Sequence, residues 1–163
     1  MKKSEFTKTI NATKEKVWQV LFDQYGDIQV HNPTMQSSNY MHNATKGELN
    51  CVRHCQFDDK LYVEEKIAGF IKNNSFNVVV NKHNLPFVKE MSASYELTAI
   101  SDEITGVKMT SFISTSPAFM VYLMKGQMGK SLIKHLFGLK YYIETGNIVE
   151  KHNYSKIFSN YQP

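Results

Sequence analysis

Residues 51–67, CVRHCQFDDKLYVEEKI, alternate apolar and polar side chains on either side of Asp58-Asp59-Lys60. Period-two alternation broken by a knot of turn residues is the pattern of a β-hairpin. A three-residue connection sets Phe57 opposite Leu61, Cys55 opposite Val63 and Arg53 opposite Glu65. Cys51, Arg53, Cys55, Phe57, Leu61, Val63, Glu65 and Ile67 then share one face. Val52, His54, Gln56, Tyr62, Glu64 and Lys66 share the other, wetter face. The inward face is apolar except for Arg53 and Glu65, which become cross-strand neighbours with Cβ atoms about 5 Å apart. A loop one residue different in length would pair Arg53 with Glu64 instead.

Working outward from the hairpin, the alternation runs from about 37 to 115. Strands are expected at 37–43, 50–57, 61–71, 75–82, 89–100 and 105–115, separated by turn signals such as Lys46-Gly47, Asn73-Asn74 and Asn84-Leu85-Pro86. Connections this short make an antiparallel meander. Ahead of it, residues 5–11 read as a further strand. Thr13 caps a short amphipathic helix over 14–23, and a second turn or helix over 25–31 is stopped by Asn32-Pro33. After it, Pro117 opens a long helix to Gly146, with Leu132, Leu136, Leu139 and Ile143 as its stripe against the sheet. Residues 147–163 are polar with interspersed aromatics (Tyr154, Phe158, Tyr161) and read as a loosely held tail. A long helix laid across one curved sheet is an α+β domain, and 163 residues suffice for one such core.

Composition narrows the function classes. The net charge of +4 is spread along the chain without a clustered basic stripe, so no nucleic-acid partner is expected. No apolar run approaches the roughly 20 residues of a membrane span, and no secretory leader opens the sequence. Cys51 and Cys55, four apart on one strand, have Cα atoms about 13 Å apart, too far for a disulfide. Two reduced thiols suggest a cytoplasmic protein. His42, His54, His135 and His152 show no metal-ligand spacing, and no cofactor is called for. Gly126-Gln127-Met128-Gly129-Lys130-Ser131 has two residues between its glycines where a phosphate loop needs four, and it lies within the long helix; those glycines are expected to bend the helix or admit close approach to the sheet.

The order of elements and several local words resemble the START-like superfamily, also called SRPBCC or polyketide cyclase/dehydrase-like proteins. The words are Ile10-Asn11-Ala12 leading into Glu15-Lys16-Val17-Trp18, then Asn32-Pro33, Cys51-Val52-Arg53-His54-Cys55, Val63-Glu64-Glu65-Lys66-Ile67, and Gly138-Leu139-Lys140-Tyr141-Tyr142-Ile143-Glu144-Thr145-Gly146. The resemblance covers about 5–146. It implies a helix-grip fold: seven antiparallel strands curled around a long C-terminal helix, two short helices after the first strand, and a cavity between sheet and helix. Residues 1–146 would be one ligand-binding domain and 147–163 its tail. Members bind lipids, sterols, plant hormones, flavonoids or polyketides, some as enzymes and many as carriers.

The resemblance implies a role for the hairpin pair. In the similar abscisic-acid receptors an Arg and a Glu at the matching places line the ligand cavity. Here the Ser-Gly-Leu-Pro gate is replaced by Asp58-Asp59-Lys60, and the receptor's ligand-anchoring lysine has no counterpart near Thr34-Met35-Gln36-Ser37. A dry ion pair stabilises poorly, so Arg53 and Glu65 either pin the register or orient a ligand in a hydrated cavity. By alternation Cys55, Phe57, Val63, Phe76, Val78, Met91, Tyr95 and Met109, with Leu132 and Leu136 from the helix, complete the cavity wall. His31 and His83 are expected at its mouth. The expected partner is a small hydrophobic or amphipathic molecule. The alternatives are a polyketide cyclase or dehydratase-like enzyme using the same cavity, with Arg53 steadying an enolate, or a protein-interaction module whose contact surface is the tail.

Overall fold

The computed structural model describes residues 1–161. Strand β1 (Lys2–Ile10) leads into a short helix, α1 (Lys14–Trp18), whose Thr13 cap accepts a hydrogen bond from the Lys16 amide at 3.2 Å. A π-helical turn (Gln19–Asp23) and a 3-10 turn (Tyr25–Val30) follow. Then come β2 (Ser37–Tyr40), β3 (Val52–Gln56), β4 (Tyr62–Ile71), β5 (Ser75–His83), β6 (Val88–Ser101) and β7 (Ile104–Thr115). Helix α2 (Met120–Thr145) ends at Gly146, which takes the left-handed conformation at φ 75° that glycine adopts without strain.

The seven strands form one antiparallel sheet in the order β1-β7-β6-β5-β4-β3-β2. It is a meander closed by the first strand crossing to pair with the last, and α2 packs along its concave side. The hairpin register is the expected one: Arg53 pairs with Glu65 and Cys55 with Val63, and the Phe57 amide donates to Leu61 O at 2.8 Å. Inward residues of every long strand meet the helix stripe, in which Leu136 and Leu139 are buried and Leu132 and Ile143 half-buried. At the α1 end the core is aromatic: Trp18 stacks on Phe22 with centroids 4.4 Å apart, and both set their edges on Phe76.

Simple alternation is broken at several points of the β4–β5 and β6–β7 ladders. The β4–β5 ladder skips Asn81 between the pairs Glu64–Lys82 and Glu65–Val80. A residue inserted in this way reverses the facing of the residues beyond it, so His83 lies opposite Val63 on the concave side. The segment after Gly146 is also not loose. Val149 is fully buried and its amide donates to Val30 O at 3.1 Å; helix α3 (Tyr154–Asn160) then sets Tyr154 and Phe158 against Phe137, at 5.7 and 4.9 Å. Aromatic packing holds it, where its polar composition suggested a free tail.

The two ends of α2 differ. Its C-terminal half is anchored by Lys140, which donates to Thr9 O at 2.9 Å and to Glu144 at 2.7 Å; Glu144 also accepts from the Asn11 amide and the Tyr161 hydroxyl. Burial opposes ionisation of Glu144, but Lys140, Tyr161 and Asn11 outweigh it and hold the carboxyl below its usual range. Gly138 packs on the His31 carbonyl so closely that a Cβ there would overlap it. The N-terminal half leaves Phe119, Tyr122, Leu123 and Ile133 exposed. No atom outside the helix lies near a Cβ built on Gly126, and one on Gly129 meets only Phe6 at an ordinary 3.5 Å. Neither glycine is there for close packing.

Candidate functional site

The Arg53–Glu65 pair is built by the hairpin and held by the 3-10 turn. Arg53 Nε and Nη2 donate to the same oxygen, Glu65 Oε2, at 2.8 and 2.6 Å, and Nη1 donates to Tyr25 O at 2.8 Å. The Tyr25 ring covers the guanidinium 3.9 Å away. Arg53's side chain is 5% exposed and Glu65's 16%, so the carboxylate is the more accessible partner. The Cys55 thiol lies 3.9 Å from Glu65 Oε2 and 3.6 Å from the Ser38 hydroxyl. Burial pushes that thiol up to about 12, keeping it protonated and unreactive.

A second polar group sits beneath α2. The Tyr95 hydroxyl bonds His135 Nε2 at 3.2 Å while its ring stacks on Phe76 at 4.6 Å, and the His135 ring lies 5.4 Å from that of His31. Burial, and then the Arg53 charge, lower His135 to about 3; burial, His135 and Arg53 hold His31 well below its ordinary value. Burial raises both Tyr25 and Tyr95. At neutral pH this interior is therefore one ion pair surrounded by neutral rings. Among the described residues, Tyr25 Oη, His31 Nδ1 and His135 Nδ1 are buried without a partner, as is Gln29 Oε1 on the same 3-10 turn as Tyr25. Leaving such atoms unbonded costs about 1–3 kcal/mol each, and in a finished core they are paired.

The apolar residues around this polar layer fall into two clusters. Phe76, Val78, Tyr95, Met109 and Leu136 belong to the closed main core, so these expected wall residues are sealed by one another. Cys55 and Val63 belong to a second cluster with Ile28, flanked by half-buried Met35, Phe57, Val80, Leu85 and Met91. Those five side chains leave a partly covered apolar patch at which Glu65 stands, opposite Val80 and with its carboxylate 3.9 Å from the Cys55 thiol. His83 lies at its rim, half-buried, its Nδ1 accepting from the Leu85 amide at 3.2 Å. His31, expected at the mouth, is instead buried under α2, because the glycine at 138 lets the helix close over its loop.

Beneath the N-terminal half of α2 the space between sheet and helix is narrow. Where Leu132 stands, with Lys2, Ser4, Ser111, Ile113, Val121, Lys125 and Met128, the gap admits ≈ 10 Å³ of water. Small-molecule sites run to about 300–1,000 Å³. A depression of ≈ 370 Å³ lies instead on the outer face, where the side chains of Ser75, Asn77, Ser94, Glu96 and Thr98 alternate with the inward residues; it is polar and wide open. Among the described residues no cluster of His, Cys, Asp and Glu is placed to hold a metal, and no helix is long and apolar enough to cross a membrane.

Known structures share this arrangement of sheet and helix. A START superfamily protein from Mycobacterium smegmatis superposes with a TM-score of 0.69 at 12% identity, over 89% of this chain and 99% of its own. The fold is that of START-like proteins. The Bacillus cereus protein XoxI matches at 0.68 with 14% identity over 89% and 97% of the two chains, and Ara h 8.0201 at 0.64 with 16% over 88% and 98%. No protein-family model and no curated sequence matches the chain. At such identities the START-like likeness is one of fold, a scaffold that hosts many functions.

Tyr25, His135 and Gly138 are the residues that the sequence pattern did not single out. Only Gly138 carried a hint, since a glycine inside a helix can mark a close approach, but Gly126 and Gly129 carry the same mark without one.

Proposed function

We propose that the protein binds a small amphipathic molecule on its concave face, with the apolar part against Met35, Phe57, Val63, Val80, Leu85 and Met91 and the polar end at the Arg53–Glu65 layer. The observation that carries the reading is a set of unpartnered polar atoms on Tyr25, His31 and His135 around Arg53, whose partner Glu65 stands at a partly covered apolar patch. A ligand, or water admitted with it, would satisfy groups that the folded chain leaves unbonded. The narrow gap under α2 requires the N-terminal half of the helix to move outward for a ligand to sit fully inside. That half carries two glycines that packing does not need and leaves its first apolar turns exposed. Burying an apolar ligand returns roughly 25 cal/mol per Å², so about 200 Å² of buried ligand surface supplies about 5 kcal/mol towards displacing the helix.

Native mass spectrometry of protein purified from its own host tests this. An adduct of small-molecule mass that is lost on denaturation is the expected result. A protein that carries no adduct, and takes up none from total lipid or aromatic extracts, would overturn the reading.

A further inference from the structure

We infer that Glu65 makes the concave site selective for uncharged ligands that donate a hydroxyl, and against carboxylates. The inference rests on the ligand-binding reading above and names the ligand's chemistry. A buried arginine beside partly covered apolar residues suggests at first a carboxylate anchor, but the geometry assigns that arginine elsewhere. Three of its N–H donors are committed, two to Glu65 Oε2 and one to Tyr25 O, and Tyr25 covers one face of the guanidinium.

The remaining guanidinium N–H groups are buried with it at 5% exposure, whereas Glu65, at 16%, is the partner that solvent or a ligand reaches first. Both arginine contacts and the Cys55 thiol fall on Oε2, and among the described residues no hydrogen bond occupies Oε1. The side chain is the more exposed of the pair and sits across from Val80, one of the half-buried apolar residues packed around Cys55 and Val63. An arriving ligand therefore meets an ionised acceptor in apolar surroundings. A hydroxyl can donate to Oε1 in a charge-assisted bond. A carboxylate would meet a like charge at short range and low dielectric, while the cluster's cation is already matched. A ligand ammonium would add a second positive charge beside Arg53. The neutral donor is the class that fits, an alcohol or a phenol.

Two matched pairs test this by calorimetry at pH 7.5: 1-decanol against decanoate, and 2-naphthol against 2-naphthoate. The wild type is expected to bind the hydroxyl member about tenfold more tightly or better. Glu65→Gln frees Arg53, so the carboxylate member should gain about tenfold and raise the melting temperature of this variant more than that of the wild type. Should Glu65→Gln fail to fold, the double variant Arg53→Met, Glu65→Gln carries no unmatched charge and is expected to lose the discrimination. Carboxylates binding the wild type as tightly as their hydroxyl partners, or discrimination surviving in the double variant, would overturn the inference while leaving ligand binding in place. Failure of every member of both pairs to bind would overturn the underlying reading and this inference with it.

Discussion

Arg53 and Glu65 are worth more as a pair than as two residues. Each is largely withdrawn from water, so removing one strands the other's charge at a cost of about 3–5 kcal/mol, whereas replacing both with apolar groups approaches neutrality. Arg53→Met alone should therefore destabilise by about 3 kcal/mol, towards the lower end because Glu65 keeps some solvent access. Arg53→Met combined with Glu65→Leu should recover most of that loss, with urea unfolding of the single and double variants as the measurement. A register pin with no ligand role gives the same stabilities, so only ligand affinities separate the two uses of the pair.

The buried histidines give a second prediction at this scale. Both have folded-state values below the ordinary 6.5, so below pH 6.5 the unfolded chain binds protons that the native state refuses. Their contribution vanishes above that pH and becomes destabilising as pH falls towards about 3, by up to about 1.4 kcal/mol per unit for each histidine. His135→Gln keeps a polar partner for Tyr95 but cannot take up a proton. Unfolding free energies from pH 7 to pH 4 should decline less steeply in this variant by about one proton's worth, and an unchanged slope would show that His135 is not held neutral.

At the scale of elements, α2 is the piece with two characters. Gly126→Ala and Gly129→Ala have room for the methyl group and should each stabilise by up to about 1 kcal/mol through helix propensity, raising the melting temperature. If the N-terminal half swings to admit ligand, the same variants should slow association more than they change the affinity of the closed state, which stopped-flow binding measures. Gly138→Ala should do the reverse and destabilise by about 1–3 kcal/mol, because its methyl would overlap the His31 carbonyl.

Legibility from sequence also differs by element. The register of the β3–β4 hairpin was readable given a three-residue connection, although a loop of another length would have shifted it. Its strands are shorter than expected, Val52–Gln56 and Tyr62–Ile71. The stripe of α2 was readable from its period of 3.6. The skipped Asn81 was not, since a single inserted residue leaves no mark in composition, and with it went the facing of His83. Helix α3 was not readable either. Seven residues are too few to be helical alone, and the group that holds them is Phe137, on a separate helix.

For the whole molecule, the pattern of strands and helices led to the START-like fold through the order of elements, although identity to the matched structures is only 12–16%. The site was less legible. Alternation says which side chains point inward but not whether they meet one another or a space. Phe76, Val78 and Met109 close on the helix, whereas Phe57 and Met91 remain half-covered beside the smaller cluster. That distinction depends on where α2 lies, which is set by Gly138 and by the buried Lys140–Glu144 pair. The main core and the smaller apolar cluster thus share one sheet, with Arg53 reaching Tyr25 of the first and Glu65 lying beside Cys55 of the second.

The most direct test of the account is a backbone amide NMR titration with 1-decanol. The account predicts saturable shifts at Cys55, Phe57, Val63, Glu65 and Met91 together with residues 120–129 of α2. No shifts, or shifts confined to the outer depression at Asn74, Ser75, Asn77 and Glu96, would contradict it.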